Sequence, residues 1–447
     1  MFSRVLIANR GEIALRVIRS CKRLGIETVV IHSEADRGAV YLKLADWSCC
    51  VGPAPSAESY LDKNAIIAAA EVYDVEAIHP GYGFLAEDAH FADLCRDCQI
   101  SFIGPPVESM ELLGNKVRAV ELAKKLGIPT VPGSDGPVES SEHALEVAHR
   151  IGYPVILKAS AGGGGRGMRV ARNDVALLSN YNAAKAEAQV AFGDPTLYME
   201  KYVENPRHVE IQILADHHGN VVHLGERDCT VQRRHQKIIE ESPSPGIDKK
   251  VRYELGRAAV KLMREAKYTN AGTVEFLIAG PRTYYFMEAN ARIQVEHPVT
   301  EMVTGLDLIE QQFRVASGED LAFRQKNIRP RGHALECRIN CEDTSAGFVP
   351  RPGTITTFFA PTVNGTRVDS HVHSGYTVPP TYDSMLAKVI VHGKDRNDSI
   401  AKMKLALEEF VIEGVPTNIE FLRDVLEHVR FVSGDLDTHF VEDSFLD

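Results

Sequence analysis

Short apolar runs alternate with helically spaced segments along the first quarter of the chain. Val5-Leu6-Ile7-Ala8, Glu27-Thr28-Val29-Val30-Ile31, Ser48-Cys49-Cys50-Val51, Ala77-Ile78-His79 and Ser101-Phe102-Ile103 are strand candidates. Between them, Glu12 to Leu24, Asp62 to Val72 and Glu87 to Cys98 place apolar residues at helical spacing. This alternation predicts an open, mostly parallel α/β sheet of Rossmann-like type over residues 1–113. The first turn, Ala8-Asn9-Arg10-Gly11-Glu12, holds one glycine where a dinucleotide fingerprint needs three, which argues against nicotinamide binding. The loop His79-Pro80-Gly81-Tyr82-Gly83-Phe84 follows a strand at the carboxyl edge of the sheet, where ligands bind in such folds.

Residues 114–330 form a second region. The strand Tyr153 to Ala159 delivers Lys158, and Met168-Arg169-Val170 returns after the run Ser160-Ala161-Gly162-Gly163-Gly164-Gly165-Arg166-Gly167. Bare backbone N–H groups beside two cations suit a polyphosphate. No Gly-Lys-Ser/Thr ends the run, so it reads as a mobile lid, within a lid subdomain of about 131–203, and not as a P-loop. Leu197 to Val203 is a further strand, whose end offers backbone groups to an adenine edge. In His208-Val209-Glu210-Ile211-Gln212-Ile213, the three polar residues share a face. Arg233-Arg234-His235-Gln236-Lys237 concentrates positive charge between Glu226, Asp228, Glu240 and Glu241, which suggests a pocket for small anions.

The richest chemistry follows. Gly272 to Ile278 and Thr283 to Glu288 read as a hairpin turning at Pro281, with Glu275 opposite Met287 or Glu288. Glu288, Asn290, Arg292, Gln294 and Glu296 then recur at every second residue, and an extended strand would line all five along one face. Facing carboxylates repel unless a cation lies between them. Glu275, Glu288 and Asn290 form an oxygen set suited to Mg²⁺, which takes few protein ligands.

Residues 331–447 open with Ala334 to Asn340, which places Glu336, Arg338 and Asn340 together, and include a cover helix from Asp398 to Val411. A chain of 447 residues has room for about two to four domains. Its net charge of −11 argues against a nucleic-acid or acidic-membrane binder. No apolar run approaches the roughly 18 residues that span a bilayer. The N-terminus enters a strand at once, with no visible signal or transit peptide, so the cytoplasm is the expected location. The eight cysteines show no framework spacing: Cys95 and Cys98 are expected on a helix, Cys337 and Cys341 in the core, and Cys229 near a charged cluster without an assigned role.

Several of these motifs together resemble biotin carboxylase. They are Leu6-Ile7-Ala8-Asn9-Arg10-Gly11-Glu12-Ile13-Ala14, the His79 to Phe84 loop, the glycine lid, Glu226-Arg227-Asp228-Cys229, Gln232 to Lys237, Arg292 to Pro298, Tyr382-Asp383-Ser384-Met385 and Asp437-Thr438-His439-Phe440. The match runs in register over almost the whole chain and resembles the free-standing subunit of bacterial acetyl-CoA carboxylase. The resemblance implies a multidomain α/β and α+β protein: a Rossmann-like N-terminal domain (1–113), an ATP-grasp domain with a glycine-rich lid (114–330) and a mixed α+β C-terminal domain (331–447).

It also implies ATP- and bicarbonate-dependent carboxylation of biotin, through carboxyphosphate, with Mg²⁺ or Mn²⁺. Lys116, Lys158, Gly164, Gly165, Glu200, Lys201, Val203, His208 and His235 would bind the nucleotide, and Glu275, Glu288 and Asn290 the metal. Lys237, Arg292, Gln294 and the Val295 backbone would hold bicarbonate. Glu296 would be the base, Arg338 would stabilise the biotin enolate, and Tyr82 would lie beside the biotin ring. No Ala-Met-Lys-Met attachment motif is present, so biotin is expected on a separate biotin carboxyl carrier protein, with a carboxyltransferase component as a further partner and a homodimer as the assembly. The competing readings are another carboxylate-activating ATP-grasp ligase and a non-catalytic nucleotide-binding subunit.

Overall fold

Five parallel strands open the chain: β1 (Arg4–Ile7), β2 (Glu27–Ser33), β3 (Trp47–Gly52), β4 (Ala77–His79) and β5 (Ser101–Phe102). The computed structural model describes residues 1–134, 136–159 and 168–446. The strand order β3-β2-β1-β4-β5 reverses direction between β1 and β4. That reversal opens a crevice at the carboxyl ends of these two strands. Asn9 crosses it, its side-chain amide donating to the carbonyls of Pro80 at 2.7 Å and Tyr82 at 2.8 Å. Gly81 has φ +65°, and a Cβ there would sit 2.8 Å from the Asn9 amide, so the loop accepts only glycine comfortably. The predicted helices form as α1 (Gly11–Leu24), α2 (Lys63–Val72) and α3 (Ala89–Asp97). Asp62 and Asp88 cap the last two by accepting from Ala65 N and Phe91 N.

A small antiparallel sheet follows, from β6 (Val155–Ala159), β7 (Met168–Ala171) and β8 (Leu197–Lys201), in the order β7-β6-β8. Helices Ser141–Ile151 and Asp174–Phe192 pack on it around Val155, Leu157, Leu177, Tyr181 and Met199, a core of its own. The glycine run, with Gly164 and Gly165, lies outside the described residues.

The main sheet has eight strands. Its labelled members are β9 (Arg207–Ala215), β10 (Val221–Arg233), β11 (Gln236–Ser242), β12 (Asn270–Gly280), β13 (Thr283–Asn290) and β14 (His333–Asn340). The order is β13-β12-β9-β10-β11-β14, continued by Met385–Gly393 and Thr366–Ser370. The sheet therefore runs without a break past residue 330, through the pairing of Ile239 with Cys337. One face of β9 and β12 packs Val209, Ile211, Val274 and Phe276 against Leu255, Ala259 and Leu262 of the helix Lys249–Glu265. Period-two alternation turns the polar residues of β9 and β12 to the opposite face.

Two expected elements end early. The extended strand expected through Glu296 stops at Asn290; the chain then bends, and Glu296 is the residue just before the helix His297–Thr304. Pro298 explains the change, since it lacks an N–H for a ladder and its fixed φ suits the first helical turn. The cover helix spans Arg396–Glu409, and Phe410, with ψ 107°, leaves the helical conformation before the short strand Val411–Glu413. Among the described residues, no helix is long and apolar enough to cross a membrane.

Candidate active site

Three neighbouring strands bring their acids into line. Glu275 on β12 faces Glu288 of β13 on one side and Glu210 of β9 on the other, each in direct register. Three carboxylates in one row need positive partners. His208 Nε2 lies 2.6 Å from Glu275 Oε2, and Lys237 Nζ lies 3.3 Å from Oε1 and 2.7 Å from Glu210 Oε2. Asn290 and Gln294 donate their amides to Glu275 Oε1 at 2.7 and 2.8 Å. Burial works to raise the Glu275 carboxyl, but Lys237 and His208 overcome it and hold it below the usual carboxylate range. For Glu288, burial and the Glu275 charge push the carboxyl up, against the charges of Lys116, His208 and Lys237.

Beneath this row, Arg227 is 0% exposed and pairs with Glu210, with further bonds to Gln212 Oε1 at 2.6 Å and Thr300 Oγ1 at 3.1 Å. The predicted face of His208, Glu210 and Gln212 thus forms as expected, facing the protein interior. A guanidinium with no water must spend its donors on fixed acceptors, and Arg227 does so.

Glu296 reaches the same cluster from the start of its helix. It is fully buried, with Lys237 Nζ at 2.6 Å and Arg338 Nη2 at 3.0 Å. Burial raises its carboxyl, but Lys237, Arg338 and Arg227 together hold it well below the usual range, so it stands ionised. Arg338 is held from behind by Glu240, which accepts from Nε at 2.6 Å. Cys229 Sγ lies 3.8 Å from Glu296 Oε1; burial pushes its thiol up, so it is a neutral neighbour.

Arg292 enters from the bend. Its Nη1 donates to Gln294 Oε1 at 2.9 Å, its Nη2 to Asn290 Oδ1 at 3.3 Å and its Nε to Glu87 Oε2 at 2.8 Å. The five polar residues expected along one strand face are therefore gathered by a bend. Asn290, Gln294 and Glu296 converge on Glu275 and Lys237, with Arg292 bound to the first two.

The remaining predicted residues spread around this centre. Lys158 pairs with Glu200 across β6 and β8. Lys116 is exposed at the start of the helix Lys116–Lys125, and its charge acts on both Glu200 and Glu288. Lys201 Nζ is bound to the Gly152 and Tyr153 carbonyls, its backbone N–H donates to the Pro132 carbonyl at 2.7 Å, and Val203 follows in the loop after β8. Tyr82 Oη donates to Glu12 in the β1–β4 crevice. His235 sits exposed in the tight turn between β10 and β11, with φ +65°.

The basic run Arg233 to Lys237 does not form one anion pocket. Arg233 stacks over Phe348 at 4.3 Å and pairs with Glu342, Arg234 takes Glu442 through its backbone N–H, and only Lys237 enters the acid cluster. Hairpin geometry is the reason: successive side chains leave the turn on opposite faces. Cys337 is buried in the core as expected, and Cys341 belongs to a smaller neighbouring core with Ile355 and Leu386.

Glu87, Glu12, Lys388 and the buried Glu336 are absent from the residues singled out as site candidates, although each borders the cluster. Glu87 and Glu12 stand at the starts of helically spaced segments and Lys388 in a strand, and local spacing names no partner for any of them.

Three family models match in order. They describe a biotin carboxylase N-terminal domain (residues 1–110), a carbamoyl-phosphate synthase L chain ATP-binding domain (115–324) and a biotin carboxylase C-terminal domain (336–443). The biotin carboxylase of Pseudomonas aeruginosa is 53% identical over 443 residues, covering 99% of this chain and 98% of that one. A pyruvate carboxylase subunit of Methanothermobacter thermautotrophicus is 50% identical over 444 residues, covering 99% and 90%. The crystal structure of a Campylobacter jejuni biotin carboxylase–βγ-ATP complex superposes with a TM-score of 0.95 at 49% identity, covering 99% of each chain. The biotin carboxylase domain dimer of Hydrogenobacter thermophilus 2-oxoglutarate carboxylase, in complex with MgADP, ADP and bicarbonate, gives 0.93 at 48% identity, covering 99% of this chain and 98% of that one. With a full-length likeness of this order in both sequence and fold, the chain belongs to the biotin carboxylase family.

Proposed function

We propose that the chain carboxylates biotin borne on a separate carrier protein, spending ATP and bicarbonate, as the first half-reaction of acetyl-CoA carboxylase or a related carboxylase. The observation that carries this reading is Glu296, a buried anion held between Lys237 and Arg338 at the end of the row of carboxylates. An ionised base between two cations can take the proton of a bound bicarbonate. The relative crystallised with MgADP and bicarbonate supports the same reading.

The donor set fits Mg²⁺, or Mn²⁺ in its place. Glu275 and Glu288 oppose each other across the strands, two carboxylates that a divalent cation between them would offset. Asn290 would complete the protein ligands. Bound there, the ion would offset the negative charge of the triphosphate.

Lys116, Lys158, His208 and His235, with Gly164 and Gly165 of the lid, would hold the phosphates, and the segment from Glu200 through Lys201 to Val203 the adenine. Arg292, Gln294, Lys237 and the Val295 backbone would orient bicarbonate, the planar fork of Arg292 matching its two oxygens. Glu296 removes the bicarbonate proton. The bicarbonate oxygen attacks the γ-phosphorus, the bond to ADP breaks, and carboxyphosphate forms. Its decomposition leaves CO₂ and phosphate. The phosphate then takes the ureido proton of biotin, the nitrogen attacks CO₂, and Arg338 stabilises the negative oxygen meanwhile. Tyr82 would flank the biotin ring.

The segments 1–113, 114–330 and 331–447 are proposed as the N-terminal, ATP-grasp (lid about 131–203) and C-terminal domains, in keeping with the three family models. The partners proposed are the biotin carboxyl carrier protein and a carboxyltransferase component, with the cytoplasm as location. A homodimer is proposed because the Hydrogenobacter relative is a dimer. The test is ATP hydrolysis with free biotin, with and without bicarbonate. Turnover that requires both is expected; turnover indifferent to either would overturn the assignment.

A further inference from the structure

Lys388 is fully buried in the strand Met385–Gly393, directly across from Arg338 on β14. Cross-strand partners carry their side chains on one face. A second cation therefore stands beside the one that meets Glu296, but it is committed elsewhere. Its Nζ donates to the Val295 carbonyl at 2.8 Å and pairs with Glu12 Oε1 at 3.1 Å. The same Glu12 oxygen accepts from Tyr82 Oη. The Tyr82 ring centroid lies 6.0 Å from the ammonium. Burial opposes the charge on Lys388, yet Glu12, Glu336 and Asp369 keep it protonated above the ordinary lysine range.

One ammonium thus joins three separate parts of the chain. Glu12 opens α1, Tyr82 follows β4, and Val295 lies in the bend after β13. The Tyr82 and Val295 segments form the two sides of the reaction space under the function proposed above. An ammonium offers three donors but no acceptor, so with no water at hand its position is set by the carbonyl and carboxylate that receive it.

We propose that Lys388 is a positioning residue: through Glu12 it ties the Tyr82 wall to the Val295 wall, and so sets the spacing between the biotin and bicarbonate subsites. The inference rests on the proposed biotin carboxylation. Small errors in the placement of two reactants are costly to their reaction, because their alignment must otherwise be found at the moment of reaction.

The test is steady-state kinetics of the full chain with free biotin, bicarbonate and MgATP each varied. In Lys388→Met, the KM values for biotin and bicarbonate are expected to rise together by about tenfold, with the MgATP KM within about twofold. Lys388→Arg should recover part of the loss. Tyr82→Phe removes the hydroxyl that reaches Glu12, and combined with Lys388→Met it should be no worse than Lys388→Met alone. Glu12→Gln keeps the shape of the junction without its charge and carries the test if Lys388→Met does not fold; it should raise the same two KM values. Unchanged KM values, an equal rise for MgATP, or effects of Tyr82→Phe and Lys388→Met that multiply would overturn the proposal. An inactive wild-type chain would overturn the function itself, whereas an active wild type with kinetically silent variants would overturn only the role of Lys388.

Discussion

Glu275 on β12 stands directly across from Glu288 on β13, two carboxylates on one sheet face. Such a pair costs on the order of 1 kcal/mol without a cation. Glu288→Gln removes one charge and the repulsion with it. The metal-free variant is therefore expected to melt no lower than wild type, while the gain in Tm on adding MgATP shrinks. Thermal melts of both proteins, with and without MgATP, check this. A full MgATP-dependent gain in the variant would remove Glu288 from the metal site.

Glu296→Gln keeps the volume at the end of the row but cannot accept a proton. Positioned bases typically contribute about 10²–10⁴-fold, so bicarbonate-dependent turnover should fall within that range. The MgATP KM should hold, since Glu296 bonds to Lys237 and Arg338 and not to the Glu275–Glu288 pair. Initial rates with ATP and bicarbonate varied separately decide the point.

Arg338 serves two buried acids, Glu240 and Glu296. Arg338→Ala takes from Glu240 the guanidinium that pairs with it and leaves Glu296 to Lys237, and breaking a buried pair in this way costs roughly 3–5 kcal/mol. Lower stability is expected, with nucleotide binding largely kept and biotin carboxylation lost. Calorimetric titration with ADP alongside a carboxylation assay separates the two effects. Wild-type turnover in this variant would refute the role.

Glu240 is pushed up to about 7, by burial first of all and by the Glu296 charge, against the pull of Arg338. Its folded value lies above the ordinary 4.5. The stability carried by the protonated form is therefore complete below the unfolded value and is lost as pH rises through about 7. Glu240→Gln is neutral at every pH and should escape that loss. The Tm difference, variant minus wild type, is expected to grow between about pH 5 and pH 8. A flat difference across that range would show that Glu240 is already ionised at the lower end.

The order of strands and helices in the first 113 residues was readable from the chain, because buried parallel strands are short apolar runs and their helices carry a separate period. The hairpin of Glu275 and Glu288 was readable too, since the turn at Pro281 sets the register. Local spacing misled beyond Asn290: the polar alternation to Glu296 mimics a strand, whereas Pro298 starts a helix and the chain bends. It misled again at Arg233 to Lys237, where neighbours in sequence leave the hairpin on opposite faces. Only the tertiary structure decided that Glu87 would hold Arg292, that Glu240 would hold Arg338, and that Lys388 would meet Glu12 and Val295. Those pairings join residues about 100 to 400 positions apart. Periodicity reports which way a side chain points within its own element, but a buried charge takes its partner from whatever element packs against it.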